Sequence, residues 1–316
     1  MTDAASPGSR VAFLGPPGTF TEEALRAQPD LAGCDHVPMR SMPDVLAAVE
    51  AGQVDLGFVA LENSIEGTVN VTLDNLIFER DLLIQREVVL AIRLNLCAPS
   101  GVRLGEVRRV VSFPHALAQC REWFIANLGD VDEVAANSTA EAVRTVGSLD
   151  PPAGDVAAVG TALAAELYGL DVLAADIEDH PENQTRFVLV ARDGVPAPTG
   201  HDKTSIVCFQ HADAPGSLHS ILGQFSARNL NLTKLESRPT KRGLGDYCFI
   251  IDLEGHVDDE VVADCLRDLH ASLAGLKFLG SYPAAGDAGP AIRRDAEASW
   301  RAADEWISSL RQQVRR

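Results

Sequence analysis

The sequence lacks any long hydrophobic run. Its 316 residues are 46% hydrophobic, yet no apolar stretch approaches the roughly 20 residues that a membrane-spanning helix needs. The opening residues MTDAASPGSR also lack the apolar core of a secretory signal peptide. These two absences predict a soluble protein of the cytoplasm, with no membrane partner.

Cysteine is scarce and badly spaced for metal binding. The six cysteines form no CxxC or CxxH pair, and several lie inside apolar segments such as Val207-Cys208-Phe209. This pattern predicts reduced core residues rather than a disulfide framework or a metal site. We expect no metal and no organic cofactor.

Lysine is the scarcest charged residue. Four lysines and 23 arginines leave a net charge of −18, which repels phosphate backbones over the whole surface and argues against a nucleic-acid partner. A small anionic ligand would therefore need a local reversal of charge, supplied by Arg, helix N-termini and backbone N–H groups.

Between Val11 and Ala191, apolar strand-like runs alternate with helical patterns, which is typical of an α/β fold. One pattern occurs twice: a Ser followed three residues later by an acid begins a helix that precedes a buried strand, at Ser41 and again at Ser138. Any capped helix before a strand would look like this. The other interpretation is two similar lobes with a cleft for a small ligand between them.

The domain prediction follows from these patterns. We expect a two-lobed α/β domain over residues 10–192, with lobes at 10–86 plus 176–192 and at 87–175, and a linker at 193–203 rich in Pro and Gly. Residues 204–281 predict a βαββαβ, ferredoxin-like domain. For residues 282–316 we expect a tail with an amphipathic helix.

Polar residues gather at the ends of predicted strands. GPPGTFTEEA (residues 15–24) could offer N–H groups and Thr19 to an anion or could simply cap a helix; it lacks both GK[ST] and GxGxxG, so nucleotide binding has little support. ALENSIEGTVN (60–70) places Glu62, Asn63 and Ser64 where α/β sheets bind ligands. Three polar residues are more than a plain turn usually contains.

Two further segments repeat this scheme. VSFPHALAQC (111–120) carries Ser112, His115 and Gln119, although a lone His beside a proline is usually an exposed cap residue. HPENQTRFVLVAR (180–192) sets Thr185 and Arg186 before a buried strand, which suits either loop chemistry or a ligand site. Hydroxyls, amides, one carboxylate and one Arg together suit the binding and protonation of a small carboxylic acid.

These residues carry a resemblance. GPPGTFTEEA, ENSIEGTVN, SFPHALAQC and NQTRF, followed by PGSLHSIL and LTKLESRP, resemble the motifs of bacterial prephenate dehydratases with a C-terminal ACT regulatory domain, over about residues 10–281. The resemblance implies a two-lobed catalytic domain like a type II periplasmic binding protein, followed by a ferredoxin-like ACT domain. It also implies conversion of prephenate to phenylpyruvate with feedback control by L-phenylalanine, in a homodimer or homotetramer.

Residue roles follow from the resemblance by position. Thr185 matches the catalytic threonine, and the other active-site motif positions are Glu62, Asn63, Ser64, Ser112, Gln119, Arg186 and Phe187. The phenylalanine-binding motifs correspond to Gly216, Ser217, Leu218, Glu236, Ser237, Arg238 and Pro239. We add Thr19 as a substrate-binding candidate.

The sequence also departs from the family pattern. Ser-Phe-Pro-His stands at 112–115 where the family usually has Ser-His-Pro-Gln, and Ser217 replaces a usual alanine. These changes leave open the role of the histidine and the affinity for the effector.

The chemistry leaves alternatives open. Hydroxide is a poor leaving group, so the enzyme must supply a proton or a strong hydrogen bond, worth about 10²–10⁴ in rate. Thr185 could orient that donor, or Glu62 could be the acid if it is protonated in an apolar pocket. Arg186 could clamp a carboxylate or hold a structural ion pair. Arogenate dehydratase and a two-lobed sensor of small acids are the rival functions.

Overall fold

Three β-sheets organise the computed structural model, which describes residues 8–149, 154–211, 214–241, 243, 245–286, 302 and 305–313. The chain divides into a larger unit, Ala5–Asn75 and Val88–Val190, and a smaller unit that contains Leu76–Glu87 and the chain from Ala191 onward. Much of the predicted tail helix lies outside the described residues. Residues 305–312 of it are described and are helical. None of the helices in these ranges is long and apolar enough to cross a membrane.

Among the described residues before residue 192 there are eleven strands. In chain order they are β1 (Arg10–Leu14), β2 (Asp35–Met39), β3 (Leu56–Asn63), β4 (Gly67–Thr68), β5 (Leu83–Ala91), β6 (Asn95–Ala98), β7 (Arg109–Ser112), β8 (Asp132–Ala135), β9 (Val156–Gly160), β10 (Asp171–Ala174) and β11 (Gln184–Ala191). The helices are α1 (Phe20–Arg26), α2 (Met42–Glu50), α3 (Asn70–Asp74), α4 (Pro114–Ala118), α5 (Arg121–Asn127), α6 (Thr139–Gly147) and α7 (Ala162–Tyr168).

The two sheets formed by these strands share one plan. The first has the order β2-β1-β3-β11-β5, with β4 added beside β3, and the second, taken from β8, has the order β8-β7-β9-β6-β10. In each sheet three parallel strands are followed by an antiparallel fourth, β11 against β3 and β6 against β9. The repeated Ser-capped pattern therefore does mark two similar lobes, as the second interpretation predicts.

The capping serines act as the sequence predicts. Ser41 accepts a hydrogen bond from the backbone N–H of Asp44 at the start of α2, and Ser138 accepts one from Glu141 at the start of α6. Each satisfies a donor that the first helical turn leaves without an intrahelical partner. The apolar faces of α2 and α6 then pack on the strands that follow them, β3 and β9.

The smaller unit has the predicted βαββαβ order. It consists of β12 (Asp202–Phe209), α8 (Ser217–Ser226), β13 (Leu232–Pro239), β14 (Tyr247–Glu254), α9 (Glu260–Ser272) and β15 (Gly275–Pro283). The sheet order is β13-β14-β12-β15, so β13 is an edge strand. One core of Ile, Leu, Val, Phe and Cys side chains lies between this sheet and its two helices.

Residues Leu76–Glu87, inside the first predicted lobe, belong to the smaller unit. The Lys277 ammonium of β15 donates to the backbone carbonyls of Ile77 and Arg80, at 3.2 and 2.7 Å. Lys203 lies 2.7 Å from the buried carboxylate of Glu87. Ile77 lies within a short π-helix, Asn75–Glu79, that continues α3, and Arg80 directly follows it.

Candidate active site

The site begins with the pairing of β3 and β11. Thr185 lies opposite Asn63 and Arg186 opposite Glu62, but a register shift follows, so that Phe187 lies opposite Ala60. Such β-bulges redirect side chains and are common beside active sites. The pairing brings two sequence-predicted residues, Asn63 and Thr185, into direct contact although 122 positions separate them in the chain.

The amide of Asn63 has only one orientation that fits its neighbours. Its Oδ1 accepts hydrogen bonds from the backbone N–H groups of Ile65 and Glu66, at 3.0 and 2.9 Å. Its Nδ2 therefore faces the other way and donates to Thr185 Oγ1 and Asn183 Oδ1, both at 2.9 Å. Asn63 is thus a donor to the threonine hydroxyl.

Asn183 is a site residue that the sequence analysis did not select. Its side chain is buried, with 1% exposure, and its Nδ2 donates to Gln119 Oε1 at 3.0 Å. Its Oδ1 also accepts from Ser64 Oγ at 3.4 Å, while Ser64 Oγ accepts from the backbone N–H of Gln184 at 2.9 Å. Its position in the NQTRF motif was the only signal that could have identified it.

Gln119 ends helix α4 and contacts a second residue that the sequence analysis did not select, Glu66. Gln119 Nε2 donates to Glu66 Oε1 at 3.4 Å, and His115 Nδ1 lies 2.8 Å from Glu66 Oε2. The His115 side chain is 56% exposed, as expected, yet it is paired. Phe113 stacks on the imidazole with ring centroids 5.3 Å apart.

A cavity of about 360 Å³ adjoins these side chains. Glu66 lines it from the first lobe, while the second lobe contributes His115 of α4 and Gln119, the C-cap of that helix. The complete lining is Ile65, Glu66, Pro114, His115, Ala118, Gln119 and His180. The volume is of the size that small-molecule sites occupy.

Glu62 and Arg186 form an ion pair on the neighbouring rungs of the same two strands. Arg186 Nη1 lies 3.7 Å from Glu62 Oε2, and the two side chains are 11% and 37% exposed. The pair holds the guanidinium and the carboxyl group side by side.

Three predicted site residues have their polar or aromatic groups engaged within the fold. The Thr19 hydroxyl accepts from the backbone N–H of Glu22 as the N-cap of α1 and donates to the Leu14 carbonyl. Ser112 Oγ is buried and donates to the Val159 carbonyl at 2.7 Å. Phe187 is buried and stacks on Phe58 with centroids 5.4 Å apart.

The GPPG loop contacts the second lobe. Gly18 donates its backbone N–H to the Glu22 carboxylate at 2.6 Å, and its carbonyl accepts from Thr161 Oγ1 at 2.7 Å. The Tyr168 hydroxyl donates to the Pro17 carbonyl at 2.8 Å. The loop therefore forms a contact between the lobes. One of the N–H groups expected to meet an anion, that of Gly18, is already used within the loop and helix α1.

The predicted effector residues lie at two places in the smaller unit. Gly216 caps α8 with φ +85°, a conformation that suits glycine, and Ser217 and Leu218 begin the helix. Glu236 lies on the edge strand β13, with its carboxylate 3.5 Å from Lys234 Nζ and 3.3 Å from Arg238 Nη1. Ser237 and Pro239 pair with Phe249 and Tyr247 of β14.

The described residues contain no group of three or more His, Cys, Asp or Glu side chains placed to hold a metal ion. Burial raises the pKa of the Cys97 and Cys208 thiols to about 12, and it raises the pKa of Cys120 still further. These thiols are therefore protonated at neutral pH and are poor nucleophiles.

Comparison with known proteins gives a consistent picture. The family model described as prephenate dehydratase matches residues 11–195, and the ACT domain model matches residues 204–271. A prephenate dehydratase of Mycolicibacterium vanbaalenii is 43% identical over 305 residues, covering 92% of this chain and 96% of that protein.

Solved structures agree with the sequence matches. The chain is similar to a prephenate dehydratase from Arthrobacter aurescens in complex with L-Phe, with a TM-score of 0.87, 40% identity, and 96% and 99% of the two chains covered. It is also similar to GqqA, described as a novel type of quorum quenching acylase, with a TM-score of 0.77 and 31% identity over 87% of this chain and 98% of that one.

Proposed function

Because this chain belongs to the prephenate dehydratase family and continues into an ACT domain, we propose that the residues around Thr185 carry out the decarboxylative dehydration of prephenate to phenylpyruvate. The enzyme is then a carbon–oxygen lyase. The substrate ring becomes aromatic as one carboxylate leaves as carbon dioxide and the ring hydroxyl leaves as water. The departing hydroxyl is the group that needs help from the protein.

The contact between Asn63 and Thr185 is the observation that carries this proposal. Asn63 Nδ2 donates to Thr185 Oγ1 at 2.9 Å, so one lone pair of that oxygen is occupied. The hydroxyl hydrogen of Thr185 is left to donate to another acceptor, and we assign the departing hydroxyl of the substrate to that position. An aliphatic hydroxyl is a weak acid, so its role is to orient and stabilise the leaving group.

We assign Arg186 to the pyruvyl carboxylate of prephenate. Its guanidinium is mostly buried and is held beside Glu62. It therefore loses little orientational freedom when it binds the substrate. Gripping the other carboxylate would oppose decarboxylation, because that charge disappears in the transition state. Glu62 keeps Arg186 in place, and it becomes the alternative acid only if substrate binding separates the pair.

The remaining predicted residues divide into two groups. Asn63, Ser64 and Gln119 belong to one hydrogen-bond network with Thr185, and we assign them to contacts with the substrate. We assign Thr19, Ser112 and Phe187 to the walls that support the site, because their side chains already have partners in the fold.

Control by L-phenylalanine is the second part of the proposal. The effector carboxylate would meet the N–H groups at the start of α8 by Gly216, and its ammonium would meet Glu236. The edge strand β13 could pair with a second copy of the chain, which gives a homodimer or, by repetition, a tetramer. A coupling of about 1–3 kcal/mol would give roughly 5–150-fold control.

The site favours dehydration over an acylase reaction. Acyl transfer through a hydroxyl needs an adjacent base, but the contacts of Ser64 and Thr185 in the structure are to Asn183, Gln184 and Asn63. Arogenate differs from prephenate by an ammonium in place of a ketone, and a single acid or amide in the cleft could decide between the two.

Incubation with purified prephenate and with arogenate tests the proposal, with phenylpyruvate and phenylalanine measured separately. We expect phenylpyruvate from prephenate at a much higher kcat/KM. Turnover of arogenate alone would replace this assignment. For the effector, calorimetry should detect L-phenylalanine binding to the full chain and none to Glu236→Ala; binding of equal affinity to both would remove Glu236 from that site.

A further inference from the structure

Four residues beside Thr185 form a closed cycle of hydrogen bonds, here called the four-residue network: Asn63, Asn183, Gln119 and Glu66. Asn63 donates to Asn183, Asn183 donates to Gln119, and Gln119 donates to the Glu66 carboxylate. The backbone N–H of Glu66 then donates back to Asn63 Oδ1 at 2.9 Å. Every amide in this cycle therefore has its orientation fixed by its neighbours.

The cycle has a direction, and the Glu66 carboxylate sets it at the Gln119 end. A carboxylate accepts hydrogen bonds and cannot donate them, so Gln119 must present Nε2 to Glu66 and Oε1 to Asn183. Asn183 then presents Oδ1 to Asn63. The Asn63 amide is also held by the backbone N–H groups on its Oδ1, and its Nδ2 meets Thr185 Oγ1. Hydrogen bonds in such a chain polarise one another. A negative charge at its acceptor end strengthens the bonds before it.

Glu66 is itself fixed from the second lobe. His115 Nδ1 lies 2.8 Å from Glu66 Oε2, and because a carboxylate has only acceptor atoms, Nδ1 carries the proton there. Phe113 stacks on the imidazole and limits its rotation. The Gln119 to Glu66 bond is long, at 3.4 Å.

We propose that Glu66 is a positioning residue for the dehydration: held by His115, it orients Gln119 and Asn183 and so supports the Asn63 amide that donates to Thr185 and directs the threonine hydrogen to the substrate. This inference rests on the proposed role of Thr185. Glu66 acts through three amides and does not touch the reacting atoms.

The test is a double-mutant cycle on the full-length enzyme, with kcat and KM measured separately for prephenate. Glu66→Gln keeps the shape but lets Gln119 reverse its amide, so kcat should fall about tenfold or more while KM changes less than about threefold. His115→Gln, which removes only the support of Glu66, should lower kcat by less. Glu106→Gln removes a surface carboxylate paired with Arg103 and should leave both constants unchanged.

Gln119→Met breaks the network between Asn183 and Glu66 while keeping a side chain of similar length. In that background Glu66→Gln should change kcat by less than about twofold, because coupled residues are not additive. An equal loss in both backgrounds, a loss in KM alone, or a wild-type kcat for Glu66→Gln would overturn the proposal.

The parent assignment is tested separately by Thr185→Ala. If that variant loses activity and the Glu66 and Gln119 effects simply add, only the role of Glu66 fails. If Thr185→Ala stays close to wild type, the proposed function of the site fails instead.

Discussion

The two lobes of the larger unit share a sheet plan but differ in chemistry. In each lobe a Ser-capped helix leads into a buried strand, β3 or β9, and an antiparallel fourth strand lies beside it. Polar Glu62 and Asn63 end β3, whereas Gly160 ends β9. The two lobes therefore share a sheet topology, and the side chains at the strand ends distinguish the lobe that carries the candidate site.

The residue after β9 shows the contrast. Thr161 caps α7 through the Ala164 N–H and donates its own hydrogen to the Gly18 carbonyl, so its hydroxyl is fully used in holding the structure. Thr185 accepts from Asn63, and on the proposed function its own hydrogen would donate to the substrate. On the proposed function, the same functional group would be structural in one lobe and chemical in the other because of what its neighbours donate or accept.

The largest expected effect is the loss of kcat in Thr185→Ala, with Thr161→Ala as the comparison. Thr185→Ala should lower kcat by about 10²–10⁴-fold with little change in KM, because the donor matters mainly as the hydroxyl departs. Thr161→Ala should cost about 1–2 kcal/mol of unfolding free energy and leave kcat within about threefold. Steady-state kinetics and denaturant titration measure both. Similar kinetic losses in the two variants would erase the contrast between the lobes.

The next effect concerns glycines where strands meet the capped helices. A Cβ on Gly160 would lie 2.5 Å from Val143 of α6, and one on Gly57 would lie 2.9 Å from Val49 of α2. Both alanine variants should destabilise by about 1–3 kcal/mol, and Gly160→Ala should be the more severe. Gly105, with open space around it, is the control. Unchanged thermal stability for Gly160→Ala would show that α6 packs against β9 less tightly than the 2.5 Å approach implies.

The third effect is alkaline sensitivity, which should differ between the lobes. Burial raises the pKa of Cys97 in the second lobe from 9.0 to about 12. Between those values the folded state keeps a proton that the unfolded state loses, so stability falls as pH rises, by about 1.4 kcal/mol per pH unit. Below pH 9 the effect disappears.

Cys97→Ala should reduce this slope, measured by urea unfolding between pH 9 and pH 11. Cys34→Ala, in the first lobe, is the comparison: Cys34 is only partly buried, and although burial and the nearby Asp30 and Asp55 also raise the pKa of its thiol, the change of slope should be smaller. An equal change of slope in both variants would mean that the two thiols share one environment.

The smallest effect should be nearly equal in the two lobes. Ser41→Ala and Ser138→Ala each remove an N-cap hydrogen bond, and each should cost about 1 kcal/mol. Urea unfolding of both variants checks this. A difference greater than about 1 kcal/mol in the loss of unfolding free energy would show that the two N-caps contribute unequally to the stability of their lobes.

The sequence by itself determined the local elements. Apolar runs predicted β1, β3, β7, β9 and β11, and the Ser-acid spacing predicted the starts of α2 and α6, because both signals act over a few residues. It did not predict exposed edge strands such as β8, whose residues are all exposed and leave no apolar pattern. The βαββαβ order after residue 200 was also readable from local pattern alone.

Only the tertiary structure decided which polar groups meet and in which direction they donate. Motifs selected Asn63, Gln119 and Thr185, but Asn183, Glu66 and the pairing of His115 depend on strand register and on contacts between residues far apart in the chain. The assignment of Leu76–Glu87 to the smaller unit likewise depends on Lys277 and Lys203, about 200 and 116 residues away. A local pattern fixes the conformation of a segment but not its distant partners, because those are chosen by packing and hydrogen bonding over the whole fold.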